Sequence, residues 1–407
     1  MTALERWGPA DRGGLTPVEG GITAVAGLRA GGVVTGVKES GSPDLALVVA
    51  DRAATFGAVT TQNVVKAPSA LRTDRIAATG SARAILVNSG NANVATPKAY
   101  DDTDRMAAAT AATLGIDADD VVVMSTGVIG VPLPIEQVER GIPAVVEDLS
   151  SDGGPRAAAA MMTTDSHAKQ AAFRVQDSSG VCTVAGMAKG VGMIAPNMAT
   201  LLVVVATDAP MPAALVRQLV RKAVAVTFNR ITVDGDQSTS DQCVLVATGT
   251  ATQPPALEAV ARAVHAVCAD LALAVIADGE GASRVAAITA SGARSDEDAV
   301  AIARAIATSS LVRAAIHGAD PNWGRIMMAM GNAGIAFEPS RVQVVCAGHT
   351  VARFGVATSF DRARAAIAMA ADQVAIEVDL GVGRGTATVL TCDLSEDYVR
   401  FNSEYTT

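Results

Sequence analysis

Short apolar runs alternate with longer, alanine-rich segments along the chain. A short continuous apolar run favours a buried strand, whereas apolar residues recurring roughly every three or four positions favour an amphipathic helix. The runs predict strands at 83–88, 121–124, 201–206, 243–248, 284–290 and 341–346, and closing strands with the sequences VAIEVDL and TATVLTCDL. The helical spacing predicts helices at 101–115, 153–166, 211–225, 255–276, 296–309 and 361–371.

The order of these elements predicts the fold class. Because strands and helices are interleaved throughout, we expect a layered α/β architecture with helices packed on mixed sheets. No low-complexity linker divides the chain. A weak similarity between ILVNSGNANVAT (85–96) and IMMAMGNAGIAF (326–337) leaves an internal duplication open.

Composition and charge narrow the class of function. Half of the 407 residues are apolar and only 3% are aromatic, which fits an α/β core built from Ala, Val, Leu and Ile. The net charge of −9, without clustered Lys and Arg, argues against a nucleic-acid partner and favours small-molecule chemistry. We do not expect the polar N-terminal segment to be a secretory signal, and we find no apolar run that approaches the length of a membrane span. We therefore predict a cytoplasmic protein with no membrane partner.

The five scattered cysteines are never spaced as CxxC, which predicts free thiols and argues against a structural zinc site. GGVVTGVKES (31–40) and GVGRG (381–385) resemble nucleotide-binding loops, but their spacing is wrong and both are better interpreted as turns. TVDGDQSTSD (232–241) offers Asp234 and Asp236 as cation ligands, yet it lacks the later glutamate of a calcium loop, so a turn is favoured. His317, in HGADPNWGR (317–325), also lies in a predicted turn.

Three other polar segments are candidates for chemistry. KGVGMIAPNMATLLVVVATDA (189–209) carries a glycine-rich loop through Ala199-Thr200 into a predicted strand, and so places a hydroxyl where a mobile loop meets a rigid element. MSTGVIG (124–130) follows a strand, and its backbone N–H groups with the Thr126 hydroxyl could stabilise an oxyanion, although a plain glycine-rich turn is the alternative. IADGEGASR (276–284) places Glu280 between glycines.

These segments, taken together, resemble one family. The blocks, in chain order, are NSGNANVAT, STGVIG, MTTDS, KGVGMIAPNMATLL, TVDGDQSTSD, DGEGAS, HGADPNWGR and the terminal NSEYTT. They resemble the ornithine acetyltransferase family, also called glutamate N-acetyltransferase, from about residue 20 to the last residue. The MTTDS block departs from the family pattern where His167 follows it, but Thr163 is intact.

The resemblance implies a set of site residues. Members of the family cleave their own chain at the Ala-Thr bond of the KGVGMIAPNMATLL block, which here joins Ala199 to Thr200. Cleavage would give an alpha fragment, residues 1–199, and a beta fragment, residues 200–407, with Thr200 as the catalytic nucleophile. Thr126 and Gly127 match the oxyanion hole. The positions that match substrate-binding residues are Thr163, Lys189, Thr200, Glu280, Asn402 and Thr407.

The resemblance also implies a fold, a reaction and partners. The fold would be an αββα-like sandwich of the self-processing N-terminal-nucleophile type, assembled as two alpha and two beta fragments. The enzyme would move acetyl from N2-acetyl-L-ornithine to L-glutamate in the cyclic arginine pathway, with no cofactor and no metal. Whether acetyl-CoA is also a donor stays open.

The chemistry explains why a threonine is needed at the cleavage point. Attack of the Thr200 hydroxyl on the Ala199 carbonyl gives an ester, and hydrolysis of that ester frees an α-amino group with an ordinary pKa of about 7.7–8.0. That amine can serve as the base for its own hydroxyl. From charge alone, Lys189 would bind a substrate α-carboxylate and Glu280 the ornithine ammonium group.

Two alternatives remain at this point. One is a self-cleaving aminopeptidase or amide hydrolase, which would release its acyl group to water. The other is a non-enzymatic α/β protein that binds amino acids, in which Thr200 merely begins a strand. Two half-sized fragments on a denaturing gel would count against the second alternative, and transfer to glutamate faster than hydrolysis would count against the first.

Overall fold

A computed structural model describes residues 4, 7–195 and 201–404 of the chain. The strands in this part are β1 (Leu15–Pro17), β2 (Leu28–Val33), β3 (Leu45–Thr60), β4 (Ser81–Asn91), β5 (Val121–Val128), β6 (Lys169–Gln176), β7 (Val181–Lys189), β8 (Leu202–Thr207), β9 (Ile231–Thr232), β10 (Gln242–Ala247), β11 (Val285–Ala293), β12 (Gln343–Cys346), β13 (His349–Arg353), β14 (Val356–Ala357), β15 (Gln373–Asp379) and β16 (Gly385–Cys392). The helices are α1 (Pro68–Thr79), α2 (Ala99–Leu114), α3 (Ile135–Glu147), α4 (Gly154–Met161), α5 (Ala213–Val226), α6 (Leu257–Ala277), α7 (Asp296–Ala307), α8 (Ser310–His317), α9 (Trp323–Gly331), α10 (Arg362–Met369) and α11 (Glu396–Glu404).

The predicted strands and helices are all present, with ends shifted by a few residues or, for the helix at 153–166, by five at its C-terminus. The turn predicted in HGADPNWGR is present at 318–322, but His317 is the last residue of α8 and Trp323 is the first of α9. The sequence prediction did not anticipate the helices α1, α3, α8, α9 and α11 or the strands β1, β2, β3, β6, β7, β9, β13 and β14. The suggested internal duplication is wrong, because its first copy forms strand β4 and its second copy forms helix α9.

The described chain forms two compact units. The larger unit contains residues 11–195, 201–229 and 236–275, and the smaller unit contains residues 230–235 and 276–404 together with the described residues before 11. These units do not coincide with the predicted alpha and beta fragments, because the larger unit takes strands from both sides of the Ala199–Thr200 bond. The division of the chain at that bond stays a prediction.

The larger unit is built on one bent sheet of nine strands. Its order is β1-β6-β7-β8-β10-β3-β4-β5, with β2 also paired to β3. The register between β3 and β4 shifts between Val49 and Ala54, and this irregularity divides β3 into two halves. The first half pairs with β2 and β4, and the second half pairs with β10 and, at Ala54 and Thr55, with the start of β4. The sheet therefore has two parts joined through one long strand.

The two parts of the sheet face a shared core. Side chains from β3, β4 and β5 pack in one buried cluster with side chains from β7, β8 and β10. Helices α2 and α3 pack on the outer side of the first part, where Met106 and Val138 join Leu47 and Leu86. Helix α5 covers the second part so closely that a Cβ on Gly57 would lie 2.9 Å from the backbone nitrogen of Arg217. The layers run helix, sheet, sheet, helix, so the expected αββα-like sandwich is confirmed.

Helix α6 contradicts the expectation that no apolar segment approaches the length of a membrane span. It has 21 residues and is long and apolar enough to cross a membrane, and α7 with α8 would pass as one span despite a 62° bend. However, 67% of the apolar window of α6 is buried. A Cβ on Gly186 of β7 would lie 2.9 Å from Val267 and 3.0 Å from Leu271, so α6 packs tightly against the sheet. Its apolar character is that of a core helix.

The smaller unit has a second mixed sheet, of order β14-β13-β12-β15-β11-β16-β9. Strands β11 and β15 run parallel, and β11 and β16 run antiparallel. Helices α7, α8 and α9 bury their apolar positions against one face of this sheet, together with Ile288, Val344 and Ile376.

All five cysteines of the chain are buried free thiols, as predicted, and burial raises the pKa of Cys268 to about 12.

Candidate active site

Strand register gathers several predicted site residues at one edge of the larger unit. Lys189, the last residue of β7, is paired with Leu202 at the start of β8. Leu202 is in turn level with Gln242 at the start of β10, because β8 and β10 run parallel. The Ala199–Thr200 bond lies outside the described residues, but Thr200 is bonded directly to Leu201, which precedes β8. The end of β7 and the starts of β8 and β10 thus share the edge from which the nucleophile is predicted to come.

Thr126 belongs to the other part of the sheet but contacts the same edge, at the end of β7. It lies near the end of β5 and is only 2% exposed. The Nζ of Lys189, itself 3% exposed, donates a hydrogen bond to Thr126 Oγ1 across 3.4 Å. A predicted oxyanion-hole residue and a predicted substrate-binding residue, 63 residues apart in sequence, are therefore in contact at this buried edge.

Gly127 has a backbone that only glycine suits. Its φ is +129°, and an added Cβ would lie 2.3 Å from the Gly90 carbonyl carbon and 2.5 Å from the nitrogen of Asn91. The NSGNANVAT segment also fixes the turn after β5, because Asn91 Nδ2 donates to the Val131 carbonyl at 3.0 Å and Gly130 donates to the Val94 carbonyl at 3.1 Å. This block of the sequence therefore supports the turn that carries Gly127, the second residue of the predicted oxyanion hole.

Asp165 is the anion of this site, and the sequence did not single it out. Its Oδ1 accepts from Lys169 Nζ at 2.7 Å and from the Gly190 backbone N–H at 2.8 Å. Burial alone would raise the pKa of Asp165, but the positive charges of Lys189 and Lys169 and its hydrogen bonds hold it at about 2. Thr163, a predicted substrate-binding residue, donates its backbone N–H to Asp165 Oδ2 at 3.0 Å. Asp165 therefore links Thr163, through a hydrogen bond, to the positive charges of Lys189 and Lys169.

Lys38 is a second residue that the sequence did not point to. The GGVVTGVKES segment begins in β2, and the predicted turn follows from residue 34. The buried carboxylate of Asp44 holds this turn by accepting from Thr35, Gly36 and Lys38. The turn lays the Lys38 stem against Gly90, where a Cβ would lie 2.9 Å from Lys38 Cγ. Partial burial, together with the charge of Lys189, lowers the pKa of Lys38 to about 8, against the attraction of Asp44.

Asp241 is a third such residue. It ends the TVDGDQSTSD block, in which only Asp234 and Asp236 had suggested ligands, and it immediately precedes β10. Its Oδ1 accepts from the Leu201 backbone N–H at 2.8 Å. Burial raises the pKa of Asp241 well above the usual value. Within the described ranges, no three His, Cys, Asp or Glu residues are grouped as metal ligands.

The smaller unit brings together two other predicted substrate-binding residues. Asn402 Nδ2 donates to Glu280 Oε2 at 3.0 Å. Asn402 lies on helix α11, and this helix packs so closely on the Glu280 loop that a Cβ on Gly281 would lie 2.3 Å from the Tyr398 nitrogen. Thr407 lies outside the described residues.

His317 has a structural partner in the same unit. Its Nδ1 lies 2.7 Å from Asp393 Oδ2, and the same carboxylate accepts from the Ser283 hydroxyl at 2.6 Å. Asp393 thus ties the end of α8 to the loop that carries Glu280.

The sequence relationship decides the family. A model of the ArgJ family matches residues 29–407. The chain belongs to the ArgJ family. The arginine biosynthesis bifunctional protein ArgJ of Gloeobacter violaceus is 42% identical over 400 residues, which cover 96% of this chain and 98% of that protein. The protein of the same name from Thermus thermophilus is 44% identical over 383 residues, with 94% and 98% covered.

A solved structure of ornithine acetyltransferase complexed with ornithine, from Mycobacterium tuberculosis, is 40% identical over 46% of this chain and 100% of that chain, with a TM-score of 0.42. The ArgJ assignment confirms the predicted family and enzyme class, an acetyltransferase of arginine biosynthesis of the ornithine acetyltransferase and glutamate N-acetyltransferase type. It contradicts the non-enzymatic alternative.

The missed residues of this ArgJ-family chain share one property. Asp165, Lys38 and Asp241 contact the site through backbone turns and through partners distant in sequence, so no local spacing marks them. Their signal in the sequence is only that each lies within or beside a glycine- or hydroxyl-rich block.

Proposed function

We propose that this ArgJ-family enzyme cuts its own chain between Ala199 and Thr200 and then carries the acetyl group of N2-acetyl-L-ornithine to L-glutamate on the Thr200 hydroxyl. The observation that carries the proposal is the buried contact between Lys189 and Thr126 at the edge where residue 200 joins β8. A cation and a hydroxyl donor, both withdrawn from solvent, suit a site where negative charge develops on oxygen.

The cleavage step needs only the chain and one water. The Thr200 oxygen forms a bond to the Ala199 carbonyl carbon, the bond to the Thr200 nitrogen breaks, and the hydroxyl proton passes to that nitrogen. Water then hydrolyses the resulting ester, leaving a carboxylate on Ala199 and a free hydroxyl and amine on Thr200. The new amine, with an ordinary pKa of about 7.7–8.0, can accept a proton near neutral pH.

Acetyl transfer then proceeds in two half-reactions. The Thr200 amine takes the hydroxyl proton while the oxygen attacks the acetyl carbonyl, and ornithine leaves with a proton on its nitrogen. The amine of glutamate next attacks the acetyl ester, releasing N-acetylglutamate and restoring the hydroxyl. Both tetrahedral intermediates would be stabilised by the Gly127 N–H and the Thr126 hydroxyl, and each such donor contributes roughly 10²–10³ in rate.

The hydrogen bond from Lys189 supports this role of Thr126. Because Lys189 Nζ donates to Thr126 Oγ1, a lone pair of that oxygen is occupied and its own O–H is left to donate to an oxyanion. The positive charge beside it also strengthens the O–H as a donor. Lys189 remains the proposed partner of the substrate α-carboxylate, with Thr163 held nearby through Asp165.

Two residues of the smaller unit are assigned to the side-chain end of ornithine. Glu280 would bind the side-chain ammonium of ornithine, and Asn402, which donates to Glu280, would orient that carboxylate. Thr407 completes the proposed binding set. Since every group in this scheme belongs to the chain or the substrates, the proposed reaction uses no cofactor.

The sheet explains how two fragments would stay together after cleavage. Strands β8 and β10, from the beta fragment, lie between β7 and β3 of the alpha fragment, and each is paired along its length. Separating the fragments would break the central sheet, so the mature enzyme is proposed to hold both. That it holds two copies of each is proposed from the family resemblance alone.

A competition between donors and acceptors tests the proposed reaction. Purified enzyme is given acetyl-labelled N-acetylornithine or acetyl-CoA, with glutamate or water as the acceptor. We expect N-acetylornithine to donate and transfer to glutamate to exceed hydrolysis. The acetyl-CoA arm decides whether the second donor is used. Release of acetate as the main product would instead support the amide-hydrolase alternative.

A further inference from the structure

The carboxylate of Asp393 holds the loop that carries Glu280. This loop, residues 278–284, lies between helix α6 and strand β11. Asp393 directly follows β16, its side chain is 0% exposed, and its Oδ1 accepts from the backbone N–H groups of Ser283 and Arg284 at 2.8 and 2.9 Å. Its Oδ2 accepts from the Ser283 hydroxyl at 2.6 Å. Both carboxylate oxygens therefore fix the end of the loop, three residues beyond Glu280.

His317 makes the fourth hydrogen bond to this carboxylate. Its Nδ1 lies 2.7 Å from Asp393 Oδ2. Burial would raise the pKa of Asp393, but hydrogen bonds from Ser283 and His317 hold it below its usual value, so the group is ionised near neutral pH. An ionised carboxylate can only accept, and the His317 Nδ1 therefore carries the hydrogen. The imidazole ring, fixed at the end of α8, thus helps to set the orientation of the carboxylate.

Helix α11 is fixed to the same loop from its first turn. Ser395 Oγ donates to the Gly281 carbonyl at 2.6 Å and accepts from the Tyr398 backbone N–H at 3.2 Å. Asn402, one turn after Tyr398, donates to the Tyr398 carbonyl at 3.1 Å and to Glu280 Oε2 at 3.0 Å. The Glu280 carboxylate is thus held by a loop and a helix that both depend on the short segment after β16.

We propose that His317 is a positioning residue for recognition of the acetyl donor: through Asp393, it holds the Glu280 carboxylate where that group binds the side-chain ammonium of N-acetylornithine. This inference rests on the proposed function, which assigns the ammonium to Glu280. A binding group on a loop keeps its position only when supporting hydrogen bonds fix the loop. The HGADPNWGR block, which the proposed reaction does not otherwise use, then contributes to specificity.

The other ring nitrogen of His317 contributes little. Its Nε2 lies 3.5 Å from Glu396 Oε2, and the side chain of Glu396 is 86% exposed. A pair this long and this open to solvent is screened and stabilises weakly. The Nδ1 contact is shorter and reaches a buried carboxylate, so the test is designed around Nδ1.

The readout is the preference of the enzyme between two acetyl donors. N-acetyl-L-norvaline has the carbon chain of N-acetylornithine but no side-chain amine, so it offers Glu280 no ammonium to bind. The preference is the ratio of kcat/KM for the two donors, measured with saturating glutamate on the same enzyme sample. Because this ratio cancels the concentration of active enzyme, a variant that is only less well folded keeps the wild-type preference.

The variants separate the hydrogen bond from the ring. His317→Leu removes the hydrogen-bond donor, whereas His317→Asn places an amide N–H near the Nδ1 position. We expect Glu280→Gln to lower the preference for N-acetylornithine about 10- to 100-fold, the effect of losing a charge-assisted hydrogen bond. His317→Leu should lower the preference about 3- to 10-fold, because the carboxylate is displaced rather than removed. His317→Asn should restore most of it.

His349→Leu is the matched control. His349 is also a half-buried histidine of the smaller unit, but it lies on β13, which is separated from β16 by three strands of the sheet. We expect this variant to keep the wild-type preference.

Each outcome counts for or against the proposal. An unchanged preference in Glu280→Gln would overturn the assignment of Glu280 in the proposed function. If Glu280→Gln lowers the preference but His317→Leu does not, this inference alone is overturned. Combining His317→Leu with Glu280→Gln should add no further loss, because His317 acts through Glu280. The same loss in both backgrounds would contradict the proposal.

The asparagine variant decides between the hydrogen bond and packing. If His317→Asn has as low a preference as His317→Leu, the ring itself is what matters and the proposal is wrong. Where His317→Leu does not fold, His317→Gln takes its place, because its amide lies one bond further out, near the Nε2 position. A preference that is low in His317→Gln and restored in His317→Asn supports the proposal, and a wild-type preference in both contradicts it.

Discussion

Lys189 Nζ donates a hydrogen bond to Thr126 Oγ1 across 3.4 Å, and both side chains are buried. The bond joins β7 in one part of the bent sheet to β5 in the other. A buried ammonium that approaches a hydroxyl in this way leaves the hydroxyl hydrogen available for an oxyanion. The catalytic account of this enzyme depends on that arrangement.

The first prediction concerns the Thr126 hydroxyl. Thr126→Val keeps the shape but removes the donor, so kcat should fall about 10²- to 10³-fold. Denaturant unfolding will show whether the folded state remains intact. Thr113→Val, at an exposed position on α2, is the matched control and should leave turnover unchanged. Wild-type kcat in a folded Thr126→Val enzyme would remove Thr126 from the oxyanion hole.

The second prediction separates a steric clash from backbone strain. Gly127→Ala would place a Cβ 2.3 Å from Gly90, in addition to the strain of a positive φ. Gly130 also has a positive φ, of +79°, but an added Cβ would find nothing within 4 Å. Gly130→Ala should therefore cost only about 1 kcal/mol of unfolding free energy, and Gly127→Ala clearly more, with loss of activity. If the two variants lose the same free energy of unfolding, the structure must shift easily to accommodate the added Cβ beside Gly90.

The third prediction concerns the buried pair of Asp165 and Lys169, whose side chains are 0% exposed. Asp165→Asn leaves the lysine without its anion, so the free energy of unfolding should fall by about 3–5 kcal/mol near neutral pH. The pKa of Asp165 is lowered from 3.8 to about 2, so its ionisation stabilises the fold above about pH 4. That stabilisation is lost as the pH falls through the folded-state pKa.

Urea unfolding at several pH values measures this effect. The difference between wild type and Asp165→Asn should be constant near neutral pH and should shrink between about pH 4 and pH 2. A difference that does not change over that interval would mean that Asp165 does not ionise in the folded protein as its partners indicate.

The fourth prediction concerns donor recognition by Glu280. Glu280→Gln removes the negative charge but can keep a hydrogen bond to Asn402, so KM for N-acetylornithine should rise with little change in stability. Glu404→Gln, an exposed change on α11, is the control. An unchanged KM in Glu280→Gln would refute the assignment of Glu280 to the ornithine ammonium group.

The sequence was sufficient for the elements with strong periodicity. Strand β8 and helices α2, α5 and α7 lie where apolar spacing predicts them, and the predicted site residues Thr126 and Lys189 are neighbours. The short helices α8 and α9 were missed because a glycine, an aspartate and a proline between them are typical turn signals. Each helix has fewer than ten residues, so tertiary packing decides its formation.

The missed charges have a different cause. Asp165 acquires its role from Lys189 and Gly190, about 25 residues further along the chain, and Asp241 from Leu201 through a parallel strand pair. Such pairings depend on the order of strands in the sheet, which periodicity does not specify. Helix α6 also depends on tertiary contacts for its interpretation. Its composition resembles that of a membrane span, and its packing against β7 identifies it as a core helix.

Mass spectrometry of the purified, active enzyme directly tests whether the chain is cut before Thr200 and whether Thr200 carries the acetyl group. We predict two chains, residues 1–199 and residues 200–407. The second chain should gain one acetyl group on Thr200 when N-acetylornithine is added without glutamate. Adding glutamate should remove that group. A single unbroken chain of 407 residues with full turnover, or full turnover in Thr200→Ala, would contradict the account.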